Sequence, residues 1–260
     1  WSSGGALNTA RNNMASVGVN AENVLAASGE TSTNVANVEQ YNGSAWTEIA
    51  DVNSARRGVR GFGTSTSGII AGGYPYVAVV ESWNGSAWTE VGDLNVAKAS
   101  MGSSGSSNTA GIVFGGSTPT RIATTESWDG SSWTEVNDLN TARDELGGAG
   151  NSKTAALAIG GGTGSNSALN ESWNGSSWTE VGDLVVATKQ QAASGTYTSA
   201  LSYGGDGSGT TTDTQSWDGT SWTEVNNLST ARYKLGGSGA SNTTALAFGG
   251  LNASDSVQSV

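Results

Sequence analysis

The apolar residues of this chain fall in short clusters that recur at a regular interval, separated by runs of Gly, Ser, Thr and Asn. The clearest cluster is Glu-Ser-Trp-Asp-Gly-Ser-Ser-Trp-Thr-Glu-Val at residues 126–136. It returns at residues 81–91, 171–181 and 215–225, and more loosely at 39–49, where Tyr41 replaces the first Trp. Apolar and β-branched residues flank an Asn-Gly or Asp-Gly pair in every copy. That pattern predicts two short strands joined by a two-residue turn, because both central positions of such a turn need φ > 0.

A second pattern precedes each hairpin. Residues 154–159 are apolar except for Thr154 and run into Gly160 and Gly161. The Gly pair recurs at 72–73, 115–116, 204–205 and 249–250, and Ser28 with Gly29 is a weak copy. Upstream, residues 144–150 are small or polar, with Leu146 as the one large apolar side chain. Met14, Val59, Met101, Gln191 and Leu235 stand at the same place in the other copies. Gly150 recurs as Gly18, Gly63, Gly105, Gly195 and Gly239. A Gly demanded at one place implies crowding or positive φ, and strands meeting at a narrow axis would crowd. Each unit therefore predicts four strands: an inner strand a over 144–150, b over 154–159, c through Trp173 and d through Trp178.

The second Trp of the hairpin stands at 46, 88, 133, 178 and 222, spacings of 42, 45, 45 and 44 residues. Such a period marks propellers or solenoids. Trp1 extends the series by another 45, and Leu-Asn-Thr-Ala-Arg follows it at 7–11 as it follows Trp133 at 139–143. At the other end, Val-Gln-Ser-Val at 257–260 aligns with Thr-Gln-Ser-Trp at 214–217. The expectation is one all-β domain over residues 1–260, a six-bladed β-propeller of four-stranded antiparallel blades. Its last blade is split: an outermost N-terminal strand starting at Trp1 pairs with a C-terminal strand ending at Val260. The recurring Trp residues are expected to pack between blades.

Composition narrows the function. Hydrophobic residues make up 35% of the chain, low enough to suggest disorder, but ten Trp supply the burial that a disordered chain lacks. The net charge of −11 leaves no basic footprint for nucleic acid. No apolar run approaches the roughly 20 residues of a membrane span. The chain contains no Cys from which to read a redox compartment. A start at Trp1 suggests a processed or excised chain.

The apolar strand into Gly-Gly, the spaced aromatic pair and the polar turn ending in Arg resemble kelch repeats. Here these are residues 157–161, Trp173, Trp178 and the Asn-Thr-Ala-Arg turns. The turn ends at Arg11, Arg56, Arg143 and Arg232, with Lys98 and Thr188 as departures. The near-verbatim hairpins are also similar to the kelch-like repeats of marine bacteriophage virion proteins. That second resemblance implies an exposed structural or host-recognition role, with other virion proteins or a host-surface protein or glycan as partners.

With no His and no Cys, the commonest general base, transition-metal ligand and thiolate nucleophile are missing. No cofactor and no enzymatic activity are expected. A carboxylate pair could still hydrolyse glycosides, and Asp144 with Glu145 is the one adjacent acidic pair. Asp206 and Asp213 flank a polar loop that offers weak ligands for calcium; a plain loop is the simpler reading. Asn42, Asn84 and Asn174 match glycosylation acceptors, but Asp129 and Asp218 replace them in equivalent turns, so they read as turn residues.

The b–c loops differ in every unit, at 30–36, 74–79, 117–123, 162–169, 206–212 and 251–256. Specific binding needs such differences on a rigid scaffold. Tyr74, Tyr76 and Arg121 are the anchors of choice there, and Arg57, Asp144, Lys189 and Tyr233, opening strand a, are expected to ring the channel mouth on the same face. The leading expectation is a non-enzymatic structural or binding module on a virion surface or outside the cell. The alternatives are a secreted carbohydrate-binding propeller and a carboxylate-dependent glycan-processing enzyme.

Overall fold

The structure, a computed structural model, describes residues 1–254 and Val257. The chain runs through successive antiparallel sheets. The first is β1 (Ala15–Val17), β2 (Val24–Ala27), β3 (Val38–Tyr41) and β4 (Trp46–Ile49). The second is β5 (Arg60–Thr64), β6 (Ser67–Ala71), β7 (Val80–Trp83) and β8 (Trp88–Glu90). The third is β9 (Gly102–Ser107), β10 (Ala110–Phe114), β11 (Thr125–Trp128) and β12 (Trp133–Val136). The fourth is β13 (Gly147–Ser152), β14 (Ala155–Ile159), β15 (Asn170–Trp173) and β16 (Trp178–Val181). The fifth is β17 (Ala192–Thr196), β18 (Ser199–Tyr203), β19 (Thr214–Trp217) and β20 (Trp222–Glu224). Among the described residues the sixth sheet has two strands, β21 (Gly236–Ser241) and β22 (Thr244–Phe248).

In each sheet the strands pair in chain order, and the inner strands β1, β5, β9, β13, β17 and β21 touch their neighbours in a closed series that returns to β1. This is a β-propeller of four-stranded antiparallel blades. The apolar faces of adjacent blades make its cores. One core joins Phe62 and Ile69 of the second blade to Val113, Trp128 and Trp133 of the third. The recurring Trp are buried as expected, with Trp133 7% exposed and Trp178 6%.

Three local expectations change. The hairpin turns are four residues long, not two, since Trp128 pairs directly with Trp133 and Trp173 with Trp178. Only the Gly takes positive φ, 98° at Gly130. The Asp or Asn instead folds the loop with its side chain: Asp129 Oδ1 accepts from the backbone N–H of Ser131 at 2.8 Å and of Ser132 at 2.9 Å. Direct pairing sets the Trp128 and Trp133 rings 5.2 Å apart on one face. Strand a starts later than expected, at Gly147 rather than Asp144. Its recurring Gly is crowded by the entry to strand b, as at Gly195, where a Cβ would collide with the Ser199 carbonyl oxygen, and at Gly105 also by Phe62 of the neighbouring inner strand.

In four repeats the Arg or Lys that ends the polar turn is a buried ion-pair partner. Arg11–Glu39, Arg56–Glu81, Lys98–Glu126 and Arg143–Glu171 form ion pairs at 2.7, 2.7, 3.0 and 2.9 Å, every side chain 2% exposed or less. The glutamate's other oxygen holds the incoming connection: Glu171 Oε2 accepts from the Asn140 backbone N–H at 2.7 Å. In the fifth blade Thr188 replaces the Arg and Gln215 replaces the Glu, so the charge is lost from both partners together.

The expected outermost strand at Trp1 is not formed as such; residues 1–10 carry no strand assignment. Trp1 nevertheless makes the contacts of a hairpin Trp. Its Nε1 donates to Thr214 Oγ1 at 3.2 Å, as Trp178 Nε1 donates to Thr125 Oγ1 at 3.1 Å. Its ring lies 5.0 Å from Tyr203, as Trp46 lies 4.9 Å from Phe248. The expected C-terminal partner, ending at Val260, lies outside the described residues.

Candidate binding face

The b–c loops and the d–a connections lie together on one face. Residues entering strand a bridge residues leaving strand b: Arg57 with Tyr74, Asp144 with Gly162, Lys189 with Asp206, and Tyr233 with Leu251. Four of the sequence-predicted residues, Arg57, Tyr74, Tyr76 and Asp144, line one depression of about 230 Å³, which Glu145 and Lys234 also border.

Tyr74 follows Gly73, whose φ of 125° turns the chain out of strand b, and Tyr76 itself has φ of 54°. Few bulky residues hold that conformation. The two rings meet edge to face at 5.4 Å. The Arg57 guanidinium lies 4.4 Å from the centre of the Tyr74 ring and pairs with Glu30 at 2.8 Å. Tyr74 remains 41% exposed. Across the depression Arg121 reaches Asp144 at 2.9 Å, and Lys189 reaches Glu145 at 3.4 Å. Burial, then the Glu145 charge, pushes the Asp144 carboxyl above its usual range, and Arg121 works against both. Every one of these exposed ion pairs is a weak clamp on its own. Together they pair both carboxylates that line the depression, which the Lys234 ammonium also borders.

The channel mouth itself is ringed by other residues than those predicted. Arg57, Asp144, Lys189 and Tyr233 stand one residue outside it. Asn13, Gly58, Ser100, Glu145, Gln190 and Lys234 hold φ between 54° and 63°. Each backbone N–H donates to the carbonyl of the one before it, and Asn13 N donates to Lys234 O at 3.0 Å, closing a hydrogen-bonded circle. Of the six, only Asn13 and Gly58 are of residue types that favour positive φ, so little in the sequence pointed to this ring. Tyr233 is placed beside it, with the Lys234 ammonium 5.3 Å from its ring centre.

Asp206 and Asp213 use their backbones within their loop. Asp206 exchanges hydrogen bonds with Lys189, and the Asp213 carbonyl accepts from Gly204. Among the described residues no group of three or more acidic, His or Cys side chains gathers as a metal site would require.

The solved structure titled "Structure of YjhT", a β-propeller, matches with a TM-score of 0.81 at 13% identity, over 98% of this chain and 95% of that one. At that identity the likeness establishes the fold. No family model and no curated protein matches the chain.

Proposed function

We propose that this chain is a non-enzymatic binding or structural propeller displayed on a virion or cell surface, as a decoration or host-recognition module. The observation that carries this reading is the cluster of Arg57, Tyr74 and Tyr76. An exposed aromatic, held by a stacked cation and a second ring, stands over a depression whose lining carboxylates are ion-paired, on a closed scaffold. Aromatics and Arg dominate protein-recognition hot spots. The similarity of the hairpins to kelch-like repeats of phage virion proteins supports display, with virion proteins or a host-surface protein or glycan as partner.

We infer six blades, the last completed by the N-terminal segment. Support comes from the six-membered hydrogen-bonded circle at the mouth and from Trp1 taking the contacts of a hairpin Trp.

Replacing Tyr74, Tyr76 and Arg121 together by Ala tests the face. Attachment to the host cell or particle is expected to fall at least tenfold, about 1.4 kcal/mol, while the melting temperature holds. Unchanged attachment by the folded variant moves the partner to the hairpin-turn face. A second reading, a secreted carbohydrate-binding propeller, draws on the exposed Tyr74 ring. Retention of glycans by the wild type but not by Tyr74→Ala would favour it. Glycan cleavage lost in Asp144→Asn would replace both readings with an enzyme.

A further inference from the structure

Five of the interblade cores bury both rings of a c–d hairpin, as the core between the third and fourth blades buries Trp173 and Trp178. The core between the fifth and sixth blades, built on Leu201, Tyr203, Leu228 and Leu235, holds no such pair among the described residues. Trp1 supplies one ring there and stays 41% exposed. Beside it lies a cavity of about 310 Å³, lined by Ala245, Leu246 and Phe248 of β22 and by residues 1–5. Only Phe248 of β22 is buried, whereas four of the five residues of β14 are.

Arg232 lines the same cavity. It is 6% exposed, and its Nη1 donates to the Gly249 carbonyl at 3.2 Å, as Arg143 Nη1 does to Gly160 at 2.8 Å. Arg143 also reaches the Glu171 carboxylate, whereas among the described residues no carboxylate lies within ion-pair distance of Arg232. Burial pulls its pKa below the usual guanidinium range, and no neighbouring charge opposes that. A buried cation without a counter-charge is costly. The fifth blade, which lacks the Glu, carries Thr188 in place of the Arg; the sixth keeps its Arg. In sequence the carboxylate position of the sixth repeat falls on Gln258 and the ring position on Val260, which carry neither group.

We propose that this cavity is a docking groove for an extended Glu-x-Trp segment of a partner protein, which adds as a strand along β22. The fourth blade sets the register, since Ala156 pairs with Trp173 and Ala158 with Glu171. The partner's Trp then stands opposite Ala245 and its Glu opposite Ala247, with the carboxylate on the Arg232 guanidinium. The ring enters beside Trp1, and its N–H donates to the Asn242 carbonyl, as Trp173 Nε1 does to Lys153. A cavity of about ten water volumes admits an indole. The groove shares no lining residue with the rim depression, so it is a second surface, and it rests on the six-blade reading.

The test is calorimetric titration of the intact chain with a capped synthetic peptide copying residues 125–130. Saturable binding is expected, with the Glu126→Gln peptide about tenfold and the Trp128→Ala peptide about thirtyfold weaker. Arg232→Thr, which copies Thr188, is expected to bind the Glu and Gln peptides alike. The double variant Gln258→Glu with Val260→Trp supplies both groups from the chain itself, and is expected to melt higher and to lose the peptide. Absence of saturable binding by the wild type, or equal binding of the Trp128→Ala peptide, overturns the proposal without any protein variant. Undiminished peptide binding by the double variant overturns it as well. A concentration-dependent dimer that the peptide dissolves would make the occupant a second copy and overturn the assignment to a partner protein. Loss of closure is read separately, from truncation of residues 1–7; a closed chain that ignores the peptide removes this proposal alone.

Discussion

The buried pair of Arg143 and Glu171 shows how one residue is justified by its partner. Set beside two apolar residues, such a pair adds little net stability, but losing one member strands a charge in the core. Arg143→Ala is expected to cost about 3–5 kcal/mol in chemical denaturation. The fifth blade supplies the remedy. Thr188 and Gln215 occupy the same two places uncharged, and Gln215 Oε1 accepts from the Val185 and Val186 backbones at 2.7 and 3.1 Å. The double variant Arg143→Thr with Glu171→Gln is expected to recover most of the loss. If the double variant is as unstable as Arg143→Ala, the pairing account is wrong.

At the scale of the element, the c–d hairpin combines a wedge and a latch. The wedge is Trp133, packed against Phe62 of the neighbouring blade with ring centres 6.3 Å apart. Trp133→Ala is expected to cost about 3–5 kcal/mol, as large buried aromatics do. A loss below about 0.5 kcal/mol, typical of plain surface sites, would place that ring at the surface. The latch is Asp129. Backbone N–H groups of Ser132 and then Ser131 hold its carboxyl at about 2, below its usual 3.8. A lowered folded-state pKa stabilises the fold above the unfolded value, and that contribution is lost as pH falls through the folded one. Asp129→Asn is therefore expected to melt below the wild type at pH 6, with the gap closing toward pH 2. Thermal melts across that range check it; a gap constant with pH would remove the charge from the latch.

For the whole molecule the decisive question is closure. The N-terminal segment seals the space beside β22: Leu7 is buried, and residues 1–5 line a cavity of about 310 Å³ with Leu246 and Phe248. Removal of residues 1–7 is expected to uncover a strand edge, and uncovered edges recruit other chains. Light scattering should then show self-association rising with concentration. A monomeric truncated chain with unchanged melting would mean that the segment does not complete the last blade.

Much of the fold was legible because a propeller repeats its instructions. Period, Gly pairs and paired Trp announce strand count and order, and burial of Trp133 and Trp178 follows from local pattern alone. The hairpin turn was misjudged by two residues, since Asn-Gly serves both a two-residue turn and this side-chain-latched loop, and only the ladder register separates them. The rim was legible in part. Variable loops and aromatic residues pointed to Tyr74, Tyr76 and Arg121, and Tyr74 and Tyr76 share a depression with Arg57 and Asp144. What the chain could not disclose are the meetings between repeats: the circle closed from Lys234 to Asn13, and Arg60 and Gln191 lining one channel. Periodicity is a property of near neighbours along the chain, whereas those contacts join residues that only ring closure brings within reach.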